Sequence, residues 1–383
     1  MTRSQVLCVA FLLLAGAGRS AQDVPFLSLP PGYVAGKVPL GTSNYATALA
    51  PDPADENYVY VAGMFGGRAR IVRLDLWNAQ RTTVFTCPTS VTVSGFAVYN
   101  AGGTYAILVS DNQHDRLWEL RDSSPMDGVF DAWYEFIRPI LTNPGGDWTG
   151  SAVLILTTGS TRLHLPAKTA LFQSEDGGTT QGEVLAVTGF DTRCVPPEKC
   201  LPSFQPPNGA YFSGFNYGGG IVLDSQGRLL VASSFYPATG KVWICEDLNQ
   251  NGVIGAGESN ILVARASNTT ESAGLSALAI DSADRCYVSV GWGFGATVRT
   301  QIQRFKIPAN PLRTTATVTT FATLRSPYVS AAVFNSPVRL FEPFVSNGAI
   351  LVIVANDSFY GNLDYLLTVR PSGKTGVRAW RLY

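Results

Sequence analysis

The chain has 383 residues, with 28 Lys+Arg against 28 Asp+Glu, 46% hydrophobic and 15% charged. So even a charge balance argues against a nucleic-acid binder, which needs a basic stripe to neutralise phosphates, and the apolar content argues against a disordered chain. There is apolar mass for one large core or two ordinary ones.

Residues 1–20 read as a secretory signal. Arg3 supplies the positive start, and Val6–Ala15 is an apolar run too short to span a bilayer, which takes about 20 residues. Ala15-Gly16-Ala17 fits an A-x-A cleavage pattern, with Gly18-Arg19-Ser20 as a second candidate. No later segment is a continuous apolar span, so the expectation is an exported chain with no membrane span and one domain over residues 21–383.

From there the pattern is a strand, a short turn, a second strand, a loop and a third strand, with amphipathic helix periodicity nearly absent. In chain order, the second and third strands pair as Tyr58–Ala62 with Ala69–Asp75, Tyr105–Ser110 with Arg116–Leu120, and Thr169–Phe172 with Gly182–Val187. Leu229–Ala232 with Gly240–Cys245, Cys286–Val290 with Thr300–Phe305, and Ile350–Ala355 with Asp364–Val369 follow. Leading strands precede several pairs, at Gly95–Tyr99, Gly220–Asp224 and Leu278–Asp281; trailing strands follow at Thr82–Phe85 and Thr317–Phe321. Four antiparallel strands repeated every roughly 45–65 residues are the pattern of β-propeller blades, which bury both faces only by stacking in a ring. The expected fold is all-β, a propeller of six four-stranded blades; a seventh is possible if Val24–Leu40 pairs with Gly376–Tyr383. The preferred reading is that these termini close the sixth blade.

Units such as Gly220-Ile-Val-Leu-Asp-Ser-Gln-Gly-Arg-Leu-Leu-Val-Ala232 resemble the NHL/SMP-30-like group of six-bladed propellers. The resemblance covers most of the mature chain, as a fold pattern. It implies a ring, and no activity by itself.

Of six cysteines, Cys8 leaves with the signal. Cys194 and Cys200 flank a Pro-Pro turn and suit a local disulfide. Cys245 and Cys286 fall on strands that can be bridged between neighbouring sheets, which leaves Cys87 over. No C-x-x-C occurs, and the two histidines, His114 and His164, are too few for a zinc site.

The strongest motif is Asp247-Leu-Asn-Gln-Asn-Gly-Val-Ile-Gly-Ala-Gly-Glu258, which fits D-x-[DN]-x-[DN]-G-x5-E at every position. Alternation brings Asp247, Asn249 and Asn251 inward together, Gly252 allows the sharp turn, Val253 offers its carbonyl and Glu258 closes the shell. The loop resembles those of EF-hands and dockerin-type repeats, but its flanks read as strands. It implies a structural Ca2+. With two formal charges facing the ion, the expected affinity is in the extracellular class, about 10⁻⁴–10⁻³ M.

Loops between second and third strands share one face of a propeller. Here they carry Phe65, Asp111, His114, Phe235, Tyr236, Trp292, Phe294, Phe359 and Tyr360. Aromatics in Gly-rich loops suit sugar rings or a protein surface, so the expected role is a binding module for a carbohydrate or protein ligand. There is no G-x-S-x-G and no nucleotide-binding glycine motif on a strand–helix turn, and no catalytic residue stands out. The alternatives are a metal-dependent hydrolase of the lactonase type, with carboxylates such as Asp111, Glu175, Asp176 and Asp357 at the channel mouth, and a structural envelope protein.

Overall fold

The computed structural model describes residues 26–41, 44–55, 58–75, 78–88, 93–100, 104–111, 116–122, 128–137, 147–176, 181–188, 203–205, 211–216, 218–233, 240–265, 275–281, 283–290, 301–324, 338–344, 349–354 and 365–371. The signal reading and residues 376–383 lie outside them. Among the described residues there are strands, turns and bends, and no helix long and apolar enough to cross a membrane.

The strands form six antiparallel sheets. Blade one is Tyr45–Pro51, Tyr58–Phe65, Arg68–Asp75 and Arg81–Thr86, paired in chain order. Blade two is Val93–Asn100, Tyr105–Asp111, Arg116–Arg121 and Ala132–Ile137. Blade three is Asp147–Leu156, Thr169–Asp176 and Gln181–Thr188, with Ser203–Gln205 and Phe212–Asn216 sharing its outer edge. Blade four is Gly218–Leu223, Leu229–Ser233, Gly240–Cys245 and Ser259–Arg265. Blade five is Leu275–Ile280, Arg285–Val290, Gln301–Lys306 and Val318–Leu324; blade six is Val338–Phe344, Ala349–Val354 and Tyr365–Pro371. The first strand of each blade lies against the first strand of the next, and that of blade six lies against that of blade one. The ring is closed and the fold is a β-propeller.

The N-terminal segment clasps the ring. Tyr33–Pro39 pairs with Tyr365–Pro371 as the fourth strand of blade six, in unbroken register from Tyr33↔Pro371 to Pro39↔Tyr365. Just before it, Phe26–Ser28 adds a fifth strand to blade five by pairing with Val318–Leu324. Tyr33 packs edge-on against Phe321 at 5.0 Å, and Phe321 meets Tyr287 at 5.2 Å. Sheet hydrogen bonds between Tyr33–Pro39 and Tyr365–Pro371 complete blade six, and Tyr33–Pro39 becomes its outer edge strand.

Blade stacking explains why these strands are apolar on both faces. In Tyr58–Phe65, Val59 and Val61 enter the layer shared with blade six, where Val38 and Leu366 meet them, while Tyr60 and Ala62 enter the layer shared with blade two. In Leu229–Ser233, Leu229 and Val231 face blade three while Leu230 and Ala232 face blade five. The side-chain period of two therefore sorts successive residues into different cores, each fully buried aliphatic side chain contributing about 1.5–3 kcal/mol. Gly220 sits where two inner strands touch: a Cβ there would lie 2.8 Å from the Leu278 backbone nitrogen.

That sorting corrects the proposed bridge between Cys245 and Cys286. Both are free, buried thiols. Cys245 belongs to the layer between blades three and four, and Cys286 to the layer between blades four and five. The sheet of blade four stands between them. Cys87 is also free and buried, and burial, with Asp111 nearby, pushes its thiol up to about 12. Cys194 and Cys200 lie outside the described residues.

Candidate calcium site and ligand face

The Asp247–Glu258 loop joins the third and fourth strands of blade four, on the face that also carries the turns between first and second strands. Its neck is closed by the Glu246 N–H donating to the Glu258 carbonyl at 2.9 Å. Inside, side-chain oxygens gather the backbone. Asp247 Oδ1 accepts from the Asn251 N–H at 3.2 Å and its Oδ2 from the Gly252 N–H at 3.0 Å. Asn249 Oδ1 accepts from the same Asn251 N–H at 3.0 Å, and Asn251 Oδ1 from the Val253 N–H at 2.9 Å. Glu258 reaches back across the loop, Oε1 to the Asn249 N–H and Oε2 to the Gly255 N–H, both at 2.8 Å. The turn needs left-handed backbone at Gln250 (φ 62°) and Gly252 (φ 78°), and glycine supplies the second at no steric cost. A Cβ at Gly255 would come within 3.3 Å of Glu258 Oε2.

The loop is fastened to blade three. The Asp247 N–H donates to the Arg162 carbonyl at 2.9 Å, and the Ile254 N–H to the Tyr211 carbonyl at 2.8 Å. Ile254 enters the apolar layer with Leu163, Leu165, Tyr211 and Phe212. Tyr211 is fully buried. Desolvation raises its phenol first, and the charges of Asp247 and Glu258 add to the rise.

Charge accounting singles this loop out. Eight carboxylates are buried among the described residues: Asp52, Asp111, Glu119, Asp224, Glu246, Asp247, Glu258 and Asp281. Five have an arginine: Asp52–Arg73 (2.6 Å), Glu119–Arg121 (2.9 Å), Asp224–Arg228 (2.6 Å), Glu246–Arg162 (2.5 Å) and Asp281–Arg285 (2.5 Å). Asp111 accepts from the Trp118 indole N–H at 3.1 Å. Asp247 and Glu258, 1% and 4% exposed, share one loop and have no cationic side chain beside them among the described residues. Buried charges are held in proteins by partners or by metals. Two carboxylates and two amides form an all-oxygen donor set of the kind Ca2+ takes. Among the described residues no three His, Cys, Asp or Glu side chains cluster as a metal group; in this loop two of the four side chains are amides, Asn249 and Asn251.

On the opposite face, the first strands of blades one to five are bulged near their N-terminal ends. The breaks in register fall at Ala46/Ala48, Val93/Gly95, Thr149/Val153, Gly218/Gly220 and Leu275/Leu278. In blade six the break, Phe341/Phe344, lies towards the other end. Across from three consecutive bulges stand buried polar residues: Ser110 and Asp111 in blade two, Gln173 in blade three and Ser233 in blade four. In blade one, the bulged Thr47 donates from its hydroxyl to the Val93 carbonyl at 2.9 Å, tying two inner strands together.

Of the residues expected to meet a ligand on this face, Asp111 ends the second strand of blade two and is buried beside Trp118. Phe65 is 3% exposed and committed to the layer between blades six and one, which differs from the expected exposed ring. His114, Phe235, Tyr236, Trp292, Phe294, Phe359 and Tyr360 lie outside the described residues. Arg162 and Tyr211, which brace the Asp247–Glu258 loop, carried no sequence signal: they lie far from it in the chain, in no motif.

No protein-family model matches the chain, and no curated protein matches it by sequence. Solved structures do match in fold. An aldose sugar dehydrogenase from Streptomyces coelicolor, in its PQQ-bound form, is similar with a TM-score of 0.59 at 16% identity, over 90% of this chain and 99% of that one. A luciferin-regenerating enzyme gives 0.55 at 9% identity, over 92% and 99%. Regucalcin, a calcium-binding protein from Agrobacterium tumefaciens, gives 0.53 at 12% identity, over 91% and 95%. The shared feature is the propeller. At these identities the likeness carries the fold and no chemistry.

Proposed function

We propose that this chain is an exported, calcium-stabilised β-propeller that binds a carbohydrate or protein ligand through the face carrying the loops between second and third strands. The observation that carries the choice of face is the row of five bulges on the inner strands. Bulges cluster beside functional sites, where they re-aim side chains and end regular pairing. The buried polar residues across from three of them, Ser110–Asp111, Gln173 and Ser233, place polar side chains at that end of the second strands. That end of the described second and third strands is where the sequence expectation puts the aromatic-bearing loops.

Calcium belongs to the opposite face, and its support is the uncompensated pair Asp247 and Glu258. Asp247, Asn249, Asn251, Glu258 and the Val253 carbonyl would hold the ion, which supplies positive charge to two buried carboxylates. Its role is structural: the loop is tied into the blade three–four core and stands apart from the ligand face.

The test is a glycan array probed with the mature protein, beside Trp292→Ala and Tyr360→Ala. Binding of a saccharide class that both variants weaken, with unchanged melting, supports the reading. Variants that melt early would make these rings part of the core, and undiminished binding would move the site elsewhere.

A further inference from the structure

The Asp247–Glu258 loop joins two strands of blade four and is built into blade three. Blade three does not turn directly from its first strand to its second: residues 157–168 make an excursion, held by reciprocal bonds between Ser160 and Leu165 (2.9 and 3.1 Å) and by the Lys168 N–H to the Leu156 carbonyl at 2.6 Å. The tip of that excursion meets the calcium loop at Asp247, its flank at Glu246, and the loop again through Tyr211. The Arg162 carbonyl accepts from the Asp247 N–H at 2.9 Å. The Arg162 guanidinium pairs with Glu246 at 2.5 Å. The Leu163 carbonyl accepts from the Tyr211 hydroxyl at 2.7 Å, and the carbonyl of the same tyrosine accepts from the Ile254 N–H at 2.8 Å. Leu163 and Ile254 share one apolar layer.

The excursion is anchored on its other side too. Ser160 Oγ donates to the Gly227 carbonyl at 2.6 Å, in the turn between the first and second strands of blade four. A groove runs between these walls, lined by Ser160, His164, Pro166, Asp224, Gln226 and Gly227. One blade-three segment therefore bridges two separate connections of blade four, and the calcium loop is one of them.

Resting on the calcium reading of this loop, we infer that the ion acts as an inter-blade clasp: ligation at Asp247 and Glu258 fixes the backbone of residues 247–254, and through Asp247 N–H, Ile254 N–H and Tyr211 it holds residues 157–168 of blade three against blade four. Asp247 contributes to both ends of the device. Its carboxylate is a ligand, and its own N–H is the tie to Arg162. A loop that cannot settle around the ion cannot present that N–H in place. Without calcium the repulsion between two buried carboxylates works against the same backbone that blade three leans on.

Hydrogen exchange on the full mature chain, read beside calorimetric calcium titration, separates the two ideas. At a calcium concentration ten times the measured Kd, linkage slows exchange by about tenfold in every amide that opens with the loop. The expected result is calcium binding with that slowing at Ser160, Leu163, Leu165 and Lys168 as well as within 247–258, and none in blade one. Binding heat with slowing confined to 247–258 overturns the clasp and leaves the calcium site standing. No binding heat overturns both. Tyr211→Phe is the second arm. It deletes the bond to the Leu163 carbonyl and keeps the ring, so it should bind calcium like the parent while Leu163 and Leu165 gain less protection. Equal gain in that variant would remove Tyr211 from the clasp.

Discussion

Replacing Glu258 with Gln changes one charged atom group in the candidate calcium site and little else. The carboxylate is 4% exposed and accepts two backbone N–H groups at 2.8 Å, from Asn249 and Gly255. The amide keeps one of these bonds and loses the other, at a cost of about 1 kcal/mol. It also removes one of two like charges buried without a cation, which offsets part of that loss. Calcium-free variant and parent should therefore melt close together. Calcium separates them. At 10 mM calcium and a Kd of about 10⁻⁴–10⁻³ M, binding to the native state alone adds roughly 1.4–2.7 kcal/mol. For a chain of this size that is a rise of about 2–4 °C in Tm. Differential scanning fluorimetry, with magnesium at equal ionic strength as the control, should show the rise in the parent and lose it in Glu258→Gln. A variant that keeps the full calcium response, or a parent that responds no more to calcium than to magnesium, would refute the assignment of the ion to this loop.

Ile254→Ala should cost about 2–5 kcal/mol in urea unfolding, because Ile254 fills the layer between blades three and four; a loss under 1 kcal/mol would mean that the loop is not docked there. Arg228→Met leaves Asp224 buried without its cation and should cost about 3–5 kcal/mol, part of which Asp224→Asn restores in the double variant; additive losses would contradict the pairing. Cys87, Cys245 and Cys286 should resist a disulfide reagent at pH 8 in the native protein and react on unfolding. Labelling of all three within seconds in the native state would contradict their burial. Cys87 also sets a sign: its native thiol is pushed from 9.0 to about 12, so the unfolded chain ionises first. Its contribution to stability is full below pH 9 and declines as pH rises towards 12. A Cys87→Ala variant as alkali-sensitive as the parent over that window would remove the thiol as a cause.

The ring was legible because a blade repeats the same local problem. Leu229-Leu-Val-Ala232 can only be a strand buried on both faces, and Asp224-Ser-Gln-Gly227 a turn whose acid caps its own backbone: Asp224 Oδ1 accepts from the Gln226 and Arg228 N–H groups. Asp281 repeats the device with Ala283 and Arg285. The fold of the Asp247–Glu258 loop was legible for the same reason: the side chains that gather its backbone, Asp247, Asn249, Asn251 and Glu258, are close in sequence. What spans blades was not. The disulfide proposed between Cys245 and Cys286 failed because sequence shows that both lie on strands and hides which layer each faces. Phe65 reads as a loop aromatic, yet the strand continues through it and turns its ring into the core. The bulges at Thr47 and its counterparts change register by residues that look like ordinary strand, and blade three's divided outer edge, Ser203–Gln205 and Phe212–Asn216, has no periodic signal at that length. Arg162 and Tyr211 meet the loop only because the ring sets blade three beside blade four.

The most direct measurement is a crystal structure of the mature protein grown with calcium, with anomalous data collected to locate bound ions. The expected result is one calcium within the Asp247–Glu258 loop, ligated by both carboxylates, and no metal in the central channel. A channel ion held by carboxylates, with the loop empty at saturating calcium, would contradict it and make the hydrolase reading the one to pursue.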